Sequence, residues 1–308
     1  MRVVGLDEIA RVATYDVVFE AVRTALVAHA EGRTAVPAPM VLDFPDGDCH
    51  VKAGYVEGSP YFTVKTGSTI AGVNNGVMLV VSASFGAPAA VLLDEGKLTA
   101  WRTAAAGALI TDAMTPRAVD EVTVLGTGEQ AYLQVLWLRE LRRLTRVRVW
   151  GRRPNAVEKL CAEFEAAGLE AVGIGPGAEG DGAGRGGGAA CVIATTAARD
   201  ALPLELFRDA VHVTGIGTDM PGKGELPVEV FVGAVVATDD HGQCLDHGDF
   251  GNAVRAGVVA DDVDLAVGAV LRDGVDRELR SVADLTGIGA ADAAVAGAVV
   301  SRGTSAAS

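Results

Sequence analysis

The sequence predicts an α/β protein in two parts, a sheet-rich antiparallel first part and a second part built on a parallel sheet. Three observations predict it. Short strand-like segments separated by Gly/Pro turns crowd residues 40–93. From residue 122 onward, continuous apolar strands alternate with helical periodicity, which demands crossover connections and a parallel sheet. Residues 289–300 are Ala/Val-rich on several faces, as a buried helix is.

The elements follow in order. Apolar positions within residues 6–31, among them Val17, Val18, Ala21, Val22 and Leu26, recur at a period near 3.6 and predict one helix. Strands are expected at 40–44, 50–55, 61–65, 77–84 and 89–93. The turns between them are Pro45-Asp46-Gly47, Glu57-Gly58-Ser59-Pro60 and Phe85-Gly86-Ala87-Pro88. A helix at 99–114 is closed by Pro116. Then come a strand at 122–125, a helix at 129–141, a strand at 146–150 and a helix at 156–167. A Gly-rich surface loop is expected at 173–188, and short buried strands at 191–194, 212–216 and 235–237. The last helix is expected to pack back on the first part.

The chain has 308 residues, 49% of them apolar and 21% charged, enough for a sizeable core and too apolar for disorder. A net charge of -14 argues against nucleic acid, whose binders carry a basic face. Arg142, Arg143, Arg146 and Arg148 cluster at a helix end and a strand start, where a solvated face or a neighbouring phosphate accounts for them. The four cysteines, Cys49, Cys161, Cys191 and Cys244, form no CxxC pair, and the N-terminus lacks a signal-peptide pattern. A reduced, cytoplasmic protein is therefore expected. No apolar run reaches the roughly 18–20 residues a spanning helix needs, so no membrane association is expected.

The most informative stretch is Val122-Thr-Val-Leu-Gly126-Thr-Gly128-Glu129-Gln130-Ala131. A buried strand ends in Gly-x-Gly and turns directly into a helix. The first glycine permits the tight turn, and the second lets backbone approach a pyrophosphate. The helix N-terminus adds free N–H groups and a positive dipole end. Strand, loop, helix and second strand arrive in the order that a Rossmann dinucleotide-binding domain requires. At the end of the second strand an acidic residue would select NAD(H). Here the chain reads Gly151-Arg152-Arg153-Pro154. Guanidinium groups match a 2′-phosphate, so NADP(H) is expected ahead of NAD(H).

Several further pieces fall into one pattern. They are Val64-Lys65, Asn74-Asn75-Gly76, Leu98-Thr-Ala-Trp-Arg102-Thr103-Ala-Ala-Ala, Thr195-Thr196, Gly217-Thr218-Asp219-Met-Pro-Gly-Lys223-Gly-Glu225-Leu226 and Thr286-Gly287-Ile-Gly-Ala-Ala-Asp292. With the Gly126 loop, they make the chain resemble the ornithine cyclodeaminase/mu-crystallin family over nearly its whole length. The resemblance implies a Rossmann domain over 115–287 and a smaller α/β dimerisation and substrate domain over 1–114, with 288–308 packing back. It also implies a homodimer formed by joining sheets, a site between the two domains, and a small amino acid, imine or oxo acid as substrate.

By the same resemblance Lys65 is catalytic and meets the substrate, Asp219 is the catalytic aspartate, and Arg102 touches substrate and cofactor. Thr103, Gly126, Gly128, Glu129, Gln130, Thr195, Thr196 and Lys223 would join Arg152 and Arg153 around the cofactor. A positive pair such as Lys65 and Arg102 can hold a carboxylate. A carboxylate in a loop after a sheet strand, such as Asp219, can orient an amine or exchange its proton.

The departures carry information too. Family members have a carboxylate-binding arginine near the position of Met40, a threonine near Leu79, and an acid where Gly151-Arg152 stand. These differences favour imine reduction or amino-acid oxidation over strict ornithine cyclodeamination with release of ammonia. Retention of Lys65, Arg102 and Asp219 argues against a non-catalytic NADPH-dependent ligand-binding protein. Strand alternation puts Lys52 on the face of His50, opposite Val51. Lys52 is therefore a candidate to replace the charge lost at Met40. The run His241-x-x-Cys244-x-x-His247, with Asp239, Asp240, Asp246 and Asp249, has ligand-like residue types. A solvated acidic loop is the simpler expectation there, and no metal is expected. Cys49 and His50 are adjacent strand residues that face opposite ways, which excludes a nucleophile–base pair.

Overall fold

The computed structural model describes residues 1–175, 190–218 and 220–305. Its chain begins with β1 (Arg2–Gly5), α1 (Leu6–Val12), α2 (Tyr15–Ala30), β2 (Thr34–Ala35) and β3 (Met40–Phe44). It continues with β4 (Gly47–Val56), β5 (Tyr61–Ile70), β6 (Val73–Ser82), β7 (Pro88–Leu93) and α3 (Lys97–Met114). Next come β8 (Glu121–Leu125), α4 (Glu129–Arg139), β9 (Arg146–Trp150), α5 (Pro154–Ala166), β10 (Glu170–Gly173) and β11 (Ala190–Ala194). The last stretch holds β12 (Ala210–Gly215), β13 (Val235–Thr238), α6 (His241–His247), α7 (Asp249–Arg255), β14 (Leu265–Ala266), α8 (Val267–Asp273), β15 (Ser281–Asp284) and α9 (Gly289–Ser305). These form two units, Met1–Ala106 with Ile288–Ser308, and Gly107–Gly287.

In the first unit the sheet order is β1-β7-β6-β5-β4-β2, with β3 also on β4. Only β1 and β7 run parallel. Cross-strand register places Lys52, Lys65, Met78 and Leu92 in one row on one face. All four are buried, because α9 lies along β4 and β5 with α2 against it. The contact is close. A Cβ on Gly54 would collide with the backbone of Gly289, and one on Gly289 with the carbonyl of Ala53. Two glycines thus let the start of α9 sit directly on β4.

The opposite face of this sheet is apolar and exposed. Val3, Met40, Leu42, Phe44, Ile70, Val73 and Leu93 all lie on it by register. An antiparallel sheet facing water would alternate apolar with polar. Here it is the exposed face that is apolar, and Lys52 and Lys65 lie on the covered one.

Three local differences from the sequence expectations have clear causes. The helix expected over 6–31 is two helices, broken at Ala13 and Thr14. Ile9, Ala13 and Val17 are all buried, so the four-residue apolar spacing continues across a break it does not report. Strands β4, β5 and β6 are longer than expected, because their outer halves are polar. The turn that joins β5 to β6 is Ala71-Gly72, with φ of 51° and 75°. Two successive residues at positive φ make the tight hairpin that matches strand twist. The acidic stretch after β13 is helical, not a solvated loop. Asp240 caps α6 by accepting a hydrogen bond from Gln243 N at 2.8 Å, and Asp239 and Asp249 are buried. Of the Gly-rich loop expected at 173–188, Gly173 ends β10, and 176–188 lie outside the described residues.

The second unit carries an eight-stranded sheet in the order β10-β9-β8-β11-β12-β15-β13-β14, parallel throughout. Its first five positions reproduce the Rossmann order, counted from β8 as 3-2-1-4-5. The last strand of the unit, β15, then inserts between β12 and β13. Apolar side chains of β11, β12, β13 and β15, with Phe207, Phe231 and Phe250, fill the core on one side. The order reverses between β8 and β11. A ligand crevice forms at such a reversal, at the carboxyl ends of the strands. No described helix is long and apolar enough to cross a membrane.

Candidate active site

In the first unit, chemistry gathers where α9 covers the sheet. Asp292 lies in the first turn of α9, where the helix dipole favours a carboxylate. Its Oδ2 is 2.8 Å from Lys65 Nζ on β5, and its Oδ1 accepts a 2.8 Å hydrogen bond from Arg102 Nε on α3. All three side chains are buried. Burial works to raise the Asp292 carboxyl, and the Arg102 and Lys65 charges outweigh it, so the group stays below its ordinary value. Burial lowers the Lys65 ammonium to about 8; Arg102 and Lys52 push the same way and Asp292 opposes them. A lysine near 8 can take up or release a proton close to neutral pH.

Lys52 stands directly across from Lys65 and is also buried. Met40 does not join the group. It pairs with Val51, which alternation puts on the other face, and it is 59% exposed. Leu79, next to Met78, also faces away from Lys65. Asp94 Oδ2 accepts from Leu98 N at 3.0 Å, which secures the start of α3, and burial raises its carboxyl. Thr103, next to Arg102 on α3, is half-buried.

In the second unit, Gly126 and Gly128 flank the strand-to-helix turn. Gly126 has φ 126° and donates to Trp150 O at 2.9 Å. A Cβ on it would collide with the Thr195 side chain, which itself donates to Leu125 O at 3.1 Å. Gly128 caps α4 in an extended conformation, and a Cβ there would meet nothing within 4 Å. The turn is thus tight behind and open in front. That fits a dinucleotide pyrophosphate laid on the N-terminus of α4. Glu129 begins that helix, and Gln130 accepts from Gln134 at 3.2 Å. Arg152 and Arg153 are exposed just past β9.

Behind the strand ends lies a set of buried acids that the sequence reading left without a role. Glu225 Oε2 accepts from Thr196 N at 2.7 Å and Thr196 Oγ1 at 2.9 Å. Its Oε1 accepts from Ile216 N at 3.0 Å and Gly217 N at 2.6 Å. One carboxylate therefore ties the loop after β11 to the loop after β12. Burial and then the Asp249 charge push it up to about 7. Asp249 accepts from Thr218 Oγ1 at 2.8 Å and from Glu225 N at 3.1 Å. Asp239 accepts from Thr286 N at 3.0 Å and Gly287 N at 2.7 Å. Lys223 lies half-buried two residues before Glu225. Asp219 lies outside the described residues.

The missed residues left faint signals. Glu225 is a single acid between Gly224 and buried Leu226, and Asp292 opens an otherwise Ala/Val-rich helix. Each is an acid in apolar company, which is a reason to look for a partner.

The ornithine cyclodeaminase/mu-crystallin family model matches residues 3–305. An uncharacterized cyclodeaminase of Sinorhizobium fredii is 32% identical over 277 residues, 85% of this chain and 82% of that protein. An alanine dehydrogenase of Archaeoglobus fulgidus is 28% identical over 304 residues, 94% of this chain and 91% of that one. An archaeal alanine dehydrogenase dimer with bound NAD superposes with a TM-score of 0.86 at 25% identity, covering 100% of this chain and 97% of the other.

Breaking the buried triad has a definite expected result. Asp292→Asn leaves two buried cations without their counter-charge and should cost about 3–5 kcal/mol of stability, measured by urea unfolding. Because Asp292 raises the Lys65 pKa, its loss should move the Lys65 titration below about 8. Unchanged stability would mean that the triad is not what holds α9 down.

Proposed function

Because the chain belongs to the ornithine cyclodeaminase/mu-crystallin family, we propose that it moves a hydride between a nicotinamide dinucleotide and the carbon–nitrogen bond of a small amino acid or imine. The observation that carries this reading is the buried Lys65–Asp292–Arg102 triad, in a chain that also has an open Gly126-x-Gly128 turn. The cofactor supplies or accepts the hydride at the substrate carbon. Gly126, Gly128 and the N-terminus of α4 hold its pyrophosphate, with Thr195 and Thr196 at the neighbouring strand end.

Lys65 and Arg102 hold the substrate carboxylate. When an imine is reduced, carbon gains the hydride and nitrogen gains a proton. Lys65, lowered to about 8, can hold that proton near neutral pH. Asp219 orients the nitrogen or exchanges a proton with it. A panel of 2-oxo acids with ammonium, and of cyclic imines, should oxidise NADPH or NADH stoichiometrically. Cyclodeamination would instead release ammonia with no net absorbance change. Asp219→Asn should lower kcat by about a hundredfold or more with cofactor affinity kept. Wild-type turnover in that variant removes Asp219 from the mechanism.

NADP(H) is the preferred cofactor in this reading. Arg152 and Arg153 are exposed at the end of β9, and no acid stands there to repel a 2′-phosphate. Replacing both with Ala should weaken NADPH binding by about tenfold or more and NADH binding much less. Equal loss for both cofactors contradicts the assignment.

The protein also acts as a homodimer. The exposed apolar face that includes Met40, Leu42, Phe44, Ile70 and Val73 supports this, since a monomer rarely leaves a continuous patch in water. The similar alanine dehydrogenase is a dimer. Sedimentation equilibrium should give twice the chain mass, and Phe44→Asp with Val73→Asp should shift it toward one. A monomeric wild type would refute the dimer.

A further inference from the structure

Four glycines lie within β4, β5 and β6: Gly47, Gly54, Gly67 and Gly76. Three of them have a neighbour that excludes a side chain. A Cβ on Gly47 would meet the Thr69 carbonyl, one on Gly54 the backbone of Gly289, and one on Gly76 both Asp94 Oδ1 and Gly96 N at 3.0 Å. Gly67 is different, because a Cβ there would meet no described atom within 4 Å. Glycine inside a strand weakens it, and commonly marks a bulge, a tight bend or the close approach of a ligand or another backbone. Strand β5 pairs with β4 and β6 in unbroken register on both sides of Gly67, and Gly67 is not among the glycines at positive φ. No backbone of the described residues approaches it. A ligand is the approach that remains.

Gly67 lies on the face of Lys65, two residues further along β5. On the other side of the lysine row the sheet is closed, with Gly54 under Gly289 and with Thr63 and Val80 buried. Toward Gly67 it opens. The row there is His50, Gly67 and Gly76. On the β4 side His50 is engaged by Asp48 at 3.4 Å, and on the β6 side Asp94 and Gly96 crowd Gly76. The clear space is therefore a slot over β5 alone, leading away from Lys65. Strands stand about 4.8 Å apart, so such a slot suits an unbranched chain. Two residues along the strand cover about 7 Å, roughly the span of a six-carbon acid.

We propose that Gly67 determines substrate specificity: the slot above it takes the side chain of a 2-imino or 2-amino acid, unbranched and longer than a methyl group, whose carboxylate is held at Lys65 and Arg102. A side chain at position 67 would fill the slot from its floor. The assignment rests on the reading of Lys65 and Arg102 as the substrate site of a hydride-transferring enzyme, and it adds the class of substrate.

Propionate and hexanoate carry the same carboxylate and differ only in chain length. Both are titrated calorimetrically into the full-length protein with NADP+ or NAD+ present, for the wild type, Gly67→Ala and Gly67→Val. Hexanoate should bind about tenfold or more tightly than propionate, because its added methylenes leave water. Gly67→Val should erase most of that difference, and Gly67→Ala should fall between. Valine suits an extended strand with room above it, so thermal unfolding should show Gly67→Val at least as stable as the wild type. Equal affinity in the wild type, binding of neither acid, or a preference that survives Gly67→Val overturns the proposal. Oxidation of NADPH and NADH is followed in parallel with pyruvate plus ammonium and with 2-oxohexanoate plus ammonium. Gly67→Val should lower kcat/KM for 2-oxohexanoate by about tenfold or more relative to pyruvate. A hexanoate preference lost in Gly67→Val, with no oxidation of either cofactor by any imine, supports the slot and overturns the hydride-transfer reading instead. Oxidation in which both oxo acids respond alike to Gly67→Val overturns the slot and leaves hydride transfer standing.

Discussion

A buried carboxylate cannot stand alone, and Asp292 imposes that condition on the first unit. Moving an ion out of water costs several kcal/mol even after relaxation, and only close opposite charge with good geometry recovers it. Asp292 recovers it from Lys65 on β5 and Arg102 on α3, each at 2.8 Å. Three elements far apart in sequence are thereby fixed to one point. The glycines at 54 and 289 set how near α9 can come, and the ion triad sets where along the sheet it stops. The same geometry gives Lys65 its chemistry. Burial lowers its pKa to about 8, and two neighbouring cations act in the same sense.

The second unit meets a related constraint with neutral donors instead of cations. Glu225 is fully buried, yet it accepts four hydrogen bonds, three from backbone amides and one from Thr196 Oγ1. Asp249 stands behind it and secures Thr218. These bonds make the loops after β11 and β12 one rigid piece at the carboxyl ends of the strands, where a parallel sheet binds its ligands. Rigidity at that point favours catalysis, because a site held in place spends less binding energy on ordering itself.

Strand alternation divides the labour in the first sheet. Residues one apart on β4 serve opposite faces, so Lys52 lies with the charged cluster while Val51 lies with Met40 among exposed apolar side chains. A shift of one residue in register would exchange the two faces and destroy both. The Ala71-Gly72 hairpin and the pairing of β4 with β5 therefore matter to the site as much as the ionisable groups do.

The sequence by itself determined what short-range geometry controls. The turn from β8 through Gly126 and Gly128 into α4 could be read directly, because a tight turn, an open helix N-terminus and a buried strand all leave marks within ten residues. So could the alternation of strand and helix that makes the parallel sheet, and the placing of Lys52 on the face of His50, opposite Val51. Only the tertiary structure decided which residues answer those charges. Arg102 and Asp292 are 190 residues apart, and no periodicity in either segment names the other. Nor does any local signal place β15 between β12 and β13, put Met40 out on the far face, or turn an acidic run into helices with buried carboxylates. Burial converts an ordinary acid into a structural one, and burial depends on what the whole chain packs around it.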